Sequence, residues 1–248
     1  MPLDPPPLDP PLLAPLPEDW SRALCVAAHP DDLEYGAALA VARWTTSGRD
    51  VRYLLVTRGE AGIDGLHPDE AGPLREAEER AGAAEVGVDV VEFLDHRDGV
   101  IEYGLDLRRD IARAIRRHRP EVLVTMVHDE RAPWGGFGMA DHRVVGLAAV
   151  DAARDAANRW VFPELLHEGH EPWPGLRWLA ICAAANPTHA VDVTEVIDRG
   201  IASLAQHRVY LEGLSEPTDP DAFLRGSATA TGEHFGGRLA VSFELVGL

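Results

Sequence analysis

Short apolar runs alternate with amphipathic segments along most of this chain. The apolar run 23–28 predicts a buried strand, and segment 34–47 after it predicts a helix. The pattern continues with strands predicted over 51–57, 90–94, 122–127, 178–184, 190–193 and 239–246, and helices over 74–86, 105–119, 141–158 and 194–212. Residues 214–234 carry no readable pattern. Strands alternating with helices predict an α/β fold, a Rossmann-like and mostly parallel sheet with helices on both faces.

Polar side chains follow the first four predicted strands at the point where each strand ends. The first strand stops at His29, Asp31 and Asp32, and the next three are followed by segments 58–60, 95–98 and 128–130. Because the carboxyl ends of parallel strands meet at one edge of a sheet, we expect these residues to lie together. Imidazole and carboxylate side chains three positions apart can turn toward one divalent metal ion. The pattern therefore predicts a metal-dependent hydrolase with its site at the carboxyl ends of the strands.

The length of 248 residues favours a single domain with one substantial core. Residues 1–17 are rich in proline and contain no lysine or arginine, unlike a secretory signal. We predict a mobile, extended tail over 1–20 and one α/β domain over 21–248. No apolar run reaches the length of about 18 residues that a membrane span needs.

The negative net charge of the chain disfavours polyanions as binding partners. The chain has 41 acidic and 23 basic residues, a net charge of −18, so phosphate backbones and anionic membrane surfaces are repelled. Cys25 and Cys182 lie in apolar runs and are expected to be buried, reduced thiols. These features favour a cytoplasmic enzyme that does not bind nucleic acid. The oligomeric state stays open, with a homo-oligomer among the alternatives.

Five short motifs stand in one order between residues 22 and 150, with a weaker echo over 189–207. They are Ala28-His29-Pro30-Asp31-Asp32 with Glu34, Thr57-Arg58-Gly59-Glu60-Ala61-Gly62, Arg75 with Glu78 ahead of Gly87-Val88, Phe93-Leu94-Asp95 with Asp98-Gly99, and Asp141-His142-Arg143. This ordered set closely resembles the PIG-L/LmbE family of zinc-dependent de-N-acetylases. A His-Pro-Asp-Asp sequence alone would be far less specific.

The resemblance implies a metal site and a reaction. His29, Asp32 and His142 would bind one Zn²⁺ and leave an open position for water, although other divalent transition metals also suit such ligands. Asp31 would act as general base on that zinc-bound water. The implied reaction removes the N-acetyl group of an amino sugar or of its conjugate. An amidase acting on a thiol conjugate of an amino sugar is one alternative, and a non-catalytic ligand-binding protein of the same fold is another.

Further residues receive roles around this centre. By the resemblance, Arg75 and Asp95 would contact the substrate. The alternative for Arg75 is an ion pair with Glu78 or Glu79 on a helix surface. Asp141 is expected to cap its helix at the N-terminus and to support His142 from behind the metal.

One departure from the family pattern concerns Met139. The family commonly has His-Pro-Asp-His where this chain has Met139-Ala140-Asp141-His142. The first histidine of that motif would help to stabilise the oxyanion, and a thioether has no proton to donate. We therefore predict that His128 or His189 takes over this hydrogen bond, or that the metal carries most of it.

Two interpretations stay open for each of three further residues. Trp134, in the glycine-rich segment 133–138, would stack on a sugar as part of a mobile lid, or belong to an ordinary connection. Asp192 ends a predicted strand and would contact the substrate or play no part. His207 would contact the substrate or cap a helix.

Overall fold

The computed structural model describes residues 12–132, 135–216 and 218–248. Within these ranges the strands are β1 (Ala14–Pro15), β2 (Arg22–Ala27), β3 (Asp50–Leu55), β4 (Val91–Phe93), β5 (Val122–Met126), β6 (Trp178–Cys182), β7 (His189–Asp192) and β8 (Ala240–Gly247). They form one sheet in the order β1-β7-β8-β6-β5-β2-β3-β4. All neighbours pair in parallel except β8, which runs antiparallel to both β6 and β7. The predicted mostly parallel α/β fold is confirmed.

Nine helices are present in the described ranges and pack around the sheet. They are α1 (Asp32–Gly36), α2 (Ala38–Thr46), α3 (Pro68–Glu85), α4 (Leu105–His118), α5 (Ala140–Asp155), α6 (Glu164–His167), α7 (Ile197–Leu204), α8 (Arg208–Gly213) and α9 (Pro220–Gly232). None of these helices is both long enough and apolar enough to cross a membrane.

The topology explains why the polar strand ends meet. Strand β2 lies between β3 and β5, with β4 beyond β3, and all four run in the same direction. Residues 23–27 of β2 are at most 2% exposed, so this strand lies at the centre of the core. The loops after these four strands therefore emerge side by side at the carboxyl edge, as the sequence predicts.

Helix α5 approaches the same edge because Gly146 has no side chain. A Cβ atom on Gly146 would lie 2.5 Å from the backbone oxygen of Met126, at the end of β5. Only glycine permits this contact, and it holds the first turn of α5, which carries His142, beside the loop after β2.

The sheet begins inside the segment predicted as a tail. Ala14 and Pro15 pair with β7 as an edge strand. Leu16 and Trp20 are 6% and 5% exposed, and the Trp20 ring meets Trp44 edge-on at 5.2 Å. The predicted domain start at residue 21 is therefore too late. Proline content favours an extended tail, but it gives no sign that this segment pairs with β7, a strand far away in the sequence.

Several predicted helix bounds also change. The helix predicted over 34–47 is divided into α1 and α2, and the one predicted over 194–212 is divided into α7 and α8. Helix α3 begins at Pro68, six residues before its predicted start, because His67 accepts the Asp69 N–H and Pro68 occupies the first turn. Helix α9 lies where no element is predicted, and Asp219 caps its first turn.

Candidate metal and active site

The loop between β2 and α1 holds two aspartates in different environments. Asp32 Oδ2 accepts the backbone N–H of His29 at 2.8 Å, which closes the turn. Asp31 has φ 88°, a left-handed conformation that residues with a Cβ rarely adopt. Asp32 faces the imidazoles of His29 and His142, whereas Asp31 faces Arg75 on α3.

His29, Asp32 and His142 each offer one ligand atom within 4.8 Å of the other two. Asp32 Oδ2 lies 3.4 Å from His29 Nδ1, and Asp32 Oδ1 lies 3.0 Å from His142 Nε2. The His142 Nε2 atom is buried and has no hydrogen-bond partner among the described residues, although Asp32 lies so near. Atoms that lie side by side without bonding to each other suit a shared ion. Two imidazoles and a carboxylate are also a typical ligand set for a catalytic divalent metal, so the residues present fit one.

The far nitrogen of His29 is held by two carboxylates. His29 Nε2 lies 3.0 Å from Asp98 Oδ1 and 3.2 Å from Asp141 Oδ2. A proton on Nε2 satisfies both acceptors and leaves the Nδ1 lone pair free for a metal, an arrangement common behind metal-binding histidines. Burial alone would lower the pKa of His29, but hydrogen bonds to Asp141, Asp32 and Asp98 raise it to about 12 when no metal is bound. A metal ion that binds Nδ1 would therefore displace a proton from that nitrogen. Asp98 belongs to the fourth resemblance motif, but no local sequence signal predicts its contact with His29.

Backbone groups hold Asp141 in place. Its side chain accepts the N–H groups of Gly99 at 2.7 Å and Ile101 at 3.2 Å. Its predicted role as an N-cap is wrong, because Met139 occupies that position and Asp141 lies within the first turn of α5. The carboxylate instead ties α5 to the loop after β4.

Asp32 and Asp31 differ in their readiness to take a proton. Burial opposes ionisation of Asp32, but the imidazoles of His142 and His29 outweigh it and keep the pKa of Asp32 well below its usual range. Burial raises the pKa of Asp31 to about 6, against the positive charge of Arg75 and with the negative charge of Asp32. A carboxylate with a pKa near neutrality suits general base chemistry.

Arg75 lies beneath the glycine-rich loop that follows β3. It is 1% exposed, and its guanidinium donates to Asp31 Oδ1 at 3.1 Å and to the carbonyl of Pro30. A Cβ atom on Gly62 would lie 2.7 Å from Arg75 Nη1, so the loop needs glycine there. Both hydrogen bonds come from Nη2, and Nε is buried with no hydrogen-bond partner among the described residues. Arg75 is buried and does not pair with Glu78 or Glu79 on a helix surface.

The family model described as "PIG-L: GlcNAc-PI de-N-acetylase" matches residues 24–153, which include His29, Asp31, Asp32, Asp98, Asp141 and His142. The chain belongs to this family. The match runs from β2 through most of α5, so both halves of the cluster fall within it.

Two relatives of this PIG-L family member are named as deacetylases. The diacetylchitobiose deacetylase of Thermococcus kodakarensis is 29% identical over 231 residues, covering 92% of this chain and 84% of the relative. The 1D-myo-inositol 2-acetamido-2-deoxy-alpha-D-glucopyranoside deacetylase of Geodermatophilus obscurus is 33% identical over 168 residues, covering 56% of this chain and 55% of the relative.

The fold is shared with the N,N'-diacetylchitobiose deacetylase of Pyrococcus horikoshii. The TM-score is 0.81 at 24% identity, over 92% of this chain and 85% of that structure. At this identity the likeness establishes the fold of the PIG-L family member and not its substrate.

His128 lies at the carboxyl edge of the sheet, where the candidate site is, whereas His189 lies at the opposite edge. His128 follows β5, the neighbour of β2, and its Nδ1 atom is buried without a hydrogen-bond partner in the part of the chain that the structure describes. His189 opens β7, which runs parallel to β2 through the intervening strands, so it lies at the amino edge of the sheet. The structure therefore corrects the prediction that His189 can reach the metal cluster.

Asp95 and Asp192, two further predicted substrate contacts, are not part of the buried cluster. Asp95 is 90% exposed at its side chain and pairs with Arg58 at 2.8 Å. Asp192 is at the carboxyl edge but four strands from β2, where it pairs with Arg238 at 3.0 Å. With strands about 4.8 Å apart, that separation approaches 20 Å, too far for a contact with the same small sugar. Trp134 lies outside the described residues.

Removing the Asp98 carboxylate is expected to weaken metal binding about 10–100-fold, because His29 then loses one of the two acceptors that orient its imidazole. The measurement is a titration of Asp98→Ala with zinc against a competing chelator. Asp95→Ala is the matched control, since Asp95 lies on the same loop but in solvent. Equal affinities for the two variants would show that Asp141 alone orients His29.

Proposed function

We propose that this protein is a metal-dependent deacetylase that hydrolyses the N-acetyl group of an amino sugar or of an amino-sugar conjugate. The observation that carries the proposal is the convergence of His29, Asp32 and His142 next to a buried Asp31. A ligand set and a separate carboxylate in one turn are what hydrolysis of an amide requires.

Zinc is the metal we propose, held by His29, Asp32 and His142, although such a site also accepts other divalent transition ions. When bound, the ion would lower the pKa of a water molecule and polarise the amide carbonyl. Asp98 and Asp141 fix the ring of His29 so that its Nδ1 atom faces the ion.

Asp31 is the proposed general base. Its carboxylate takes a proton from the attacking water and then returns a proton to the nitrogen of the leaving amine, so that the products are a free amine and acetate. The hydrogen bond from Arg75 occupies Oδ1 of Asp31, which leaves Oδ2 to handle the proton.

We assign to His128 the hydrogen bond to the oxyanion that a histidine commonly donates at the position of Met139 in the family. Met139 is 56% exposed and has no proton to donate. His128 is the only one of the two predicted replacements at the correct edge, and it lies against Gly146 on the helix that carries His142. We propose that His128 stabilises negative charge on the carbonyl oxygen, shared with the metal.

The substrate class comes from the relatives. Their names specify an acetylated disaccharide of amino sugars and an acetylated amino sugar joined to inositol. We propose a substrate of this class here, with exposed Asp95 as a contact to sugar hydroxyls.

The two cysteines, Cys25 and Cys182, are buried and unpaired. Reduced thiols support a cytoplasmic location.

The test is release of acetate by the zinc-loaded protein from a panel of substrates. The panel contains N-acetylglucosamine, diacetylchitobiose and the acetylated glucosaminyl inositol. A fourth compound is a thiol conjugate of an amino sugar, in which the amino group is held in an amide bond that an amidase would cleave. Acetate from at least one acetylated sugar supports the proposal. Cleavage of the thiol conjugate alone would establish the amidase alternative, and a zinc-loaded protein inert on the whole panel would favour a ligand-binding role.

A further inference from the structure

Helix α3 contacts both ends of one peptide bond in the loop after β2. Arg75 donates to the carbonyl oxygen of Pro30, and Glu79 Oε2 accepts the N–H of Asp31 at 3.0 Å. These two backbone groups belong to the same peptide unit and point in opposite directions. Arg75 and Glu79 are four residues apart, so they project from one face of the helix along the length of that peptide.

This peptide sets the direction of the proposed base. Asp31 adopts φ 88°, which costs about 1–2 kcal/mol for a residue with a Cβ and persists only when its surroundings enforce it. Rotation of the Pro30–Asp31 peptide would leave a buried N–H and a buried C=O without partners, at about 1–3 kcal/mol each. The two contacts from α3 therefore supply enough free energy to keep the strained turn in one state.

A fully buried group of side chains supports Glu79 from behind. Glu34, Glu79 and His207 are all 0% exposed, and His207 Nε2 lies 3.6 Å from Glu34 Oε2 and 3.7 Å from Glu79 Oε2. Ser203 donates toward Gly82 O at 2.8 Å and lies 3.2 Å from Glu34 Oε1. His207 therefore neither caps α8 through its side chain nor reaches solvent, and it joins α8 to α3 and α1.

Glu79 is suited to hold a backbone N–H without a charge. Burial, with the negative charge of Glu34, raises the pKa of Glu79 well above its ordinary value. A neutral carboxylic acid can accept the Asp31 N–H through one oxygen and donate through the other. Glutamine has the same shape and also offers a neutral acceptor oxygen.

We propose that Glu79, with Arg75, is a positioning residue that locks the Pro30–Asp31 peptide and thereby aims the Asp31 carboxylate at the substrate. The pair is named the α3 clamp. The inference rests on the proposed function, in which Asp31 is the base, and it gives Arg75 a role inside the protein through its Nη2 atom. A base displaced by about 1 Å loses about 100-fold in rate even when substrate and metal still bind.

The experiment compares Glu79→Gln with Glu79→Met. Both variants are uncharged and have unbranched side chains of similar length, but only glutamine keeps a good acceptor for the Asp31 N–H. We expect Glu79→Gln to retain kcat within about threefold, and Glu79→Met to lose about 100-fold in kcat with KM and zinc content unchanged. Glu85→Gln, an exposed carboxylate on the same helix, is the matched control.

A crystal structure of each Glu79 variant gives a readout that does not depend on any substrate. The clamp predicts a native Pro30–Asp31 peptide in Glu79→Gln and a rotated or disordered one in Glu79→Met. Equal kcat values in the two variants, or a native peptide in Glu79→Met, would overturn the inference. A second equivalent of zinc that is lost in Glu79→Gln would overturn it as well, because the buried group would then be a metal site.

A second pair of variants acts on the other end of the same peptide. Arg75→Lys keeps a donor for the Pro30 carbonyl and Arg75→Met removes it, so the same loss confined to kcat is expected for Arg75→Met. This pair decides the matter if Glu79→Met fails to fold. If Asp31→Asn keeps full activity, the proposed function fails, whereas the peptide orientation in the variant structures still tests the clamp.

Discussion

Replacement of Asp31 by asparagine is expected to lower kcat for acetate release about 10³-fold, within the range of 10²–10⁴ that general acid–base catalysis contributes. Asparagine keeps the size of the side chain and an oxygen that can accept from Arg75. It cannot take a proton from water, nor return one to the amine. The loss should therefore fall on kcat, and zinc content should remain that of the unmodified protein.

Asp106→Asn is the control for Asp31→Asn, because it makes the same chemical change on an exposed residue of α4. Its kcat is expected to equal that of the unmodified protein. Activity of Asp31→Asn within about tenfold of the unmodified enzyme would contradict the assignment, since general base catalysis typically contributes more than this. Loss of zinc in Asp31→Asn would instead mean that Asp31 supports the metal.

Much of the site can be predicted from sequence because it follows from strand direction. His29 and Asp32 stand directly after a buried strand, and parallel pairing brings the loops after β3, β4 and β5 to the same edge. The family motifs then link this turn to His142, more than a hundred positions away in the chain. Local pattern and resemblance agree here, and the structure brings these residues together.

The residues that sequence reasoning misses act through contacts between distant segments. Asp98 stands in a resemblance motif without a visible purpose until the loop after β4 packs against His29. Glu79 resembles any charged residue of an amphipathic helix, but it is fully buried against Glu34 and His207. The spacing of four between Arg75 and Glu79 is the only local signal of the α3 clamp, and it is shared with countless surface ion pairs.

The error on His189 has a topological cause. The sequence shows that a strand begins near this residue but not which edge of the sheet that end occupies. Because β8 runs antiparallel between β6 and β7, β7 returns to the direction of β2, and its first residue points away from the site. A single antiparallel strand thus determines which of the two histidines lies at the edge of the proposed metal site.

Replacement of His142 by alanine is expected to abolish tight zinc binding and, with it, activity. Loss of a group that merely orients a metal ligand costs about 10–100-fold in affinity, and loss of a ligand itself should exceed that. The two remaining proposed ligands, His29 and Asp32, lie in one turn after β2. In His142→Ala the site would therefore have no ligand from α5. The measurements are zinc content after dialysis, affinity in competition with a chelator, and acetate release after zinc is restored.

Thermal unfolding gives a readout for His142→Ala that needs no substrate. Zinc at 100 times its Kd stabilises a folded protein by about 2.7 kcal/mol, so the unmodified chain should gain stability when zinc is added. His142→Ala should gain none, while His96→Ala, which removes an imidazole that pairs with Asp110 outside the cluster, should gain as much as the unmodified chain.

The two readouts for His142 separate a catalytic metal from a structural one. Zinc that stabilises the protein but is not needed for acetate release would leave Asp31 as a base without an activated water, and hydrolysis by this site would have to be abandoned. Zinc-dependent stabilisation that survives in His142→Ala would place the ion elsewhere. Only joint loss of stabilisation and activity, with both retained in His96→Ala, ties the reaction to the junction between the loop after β2 and the first turn of α5.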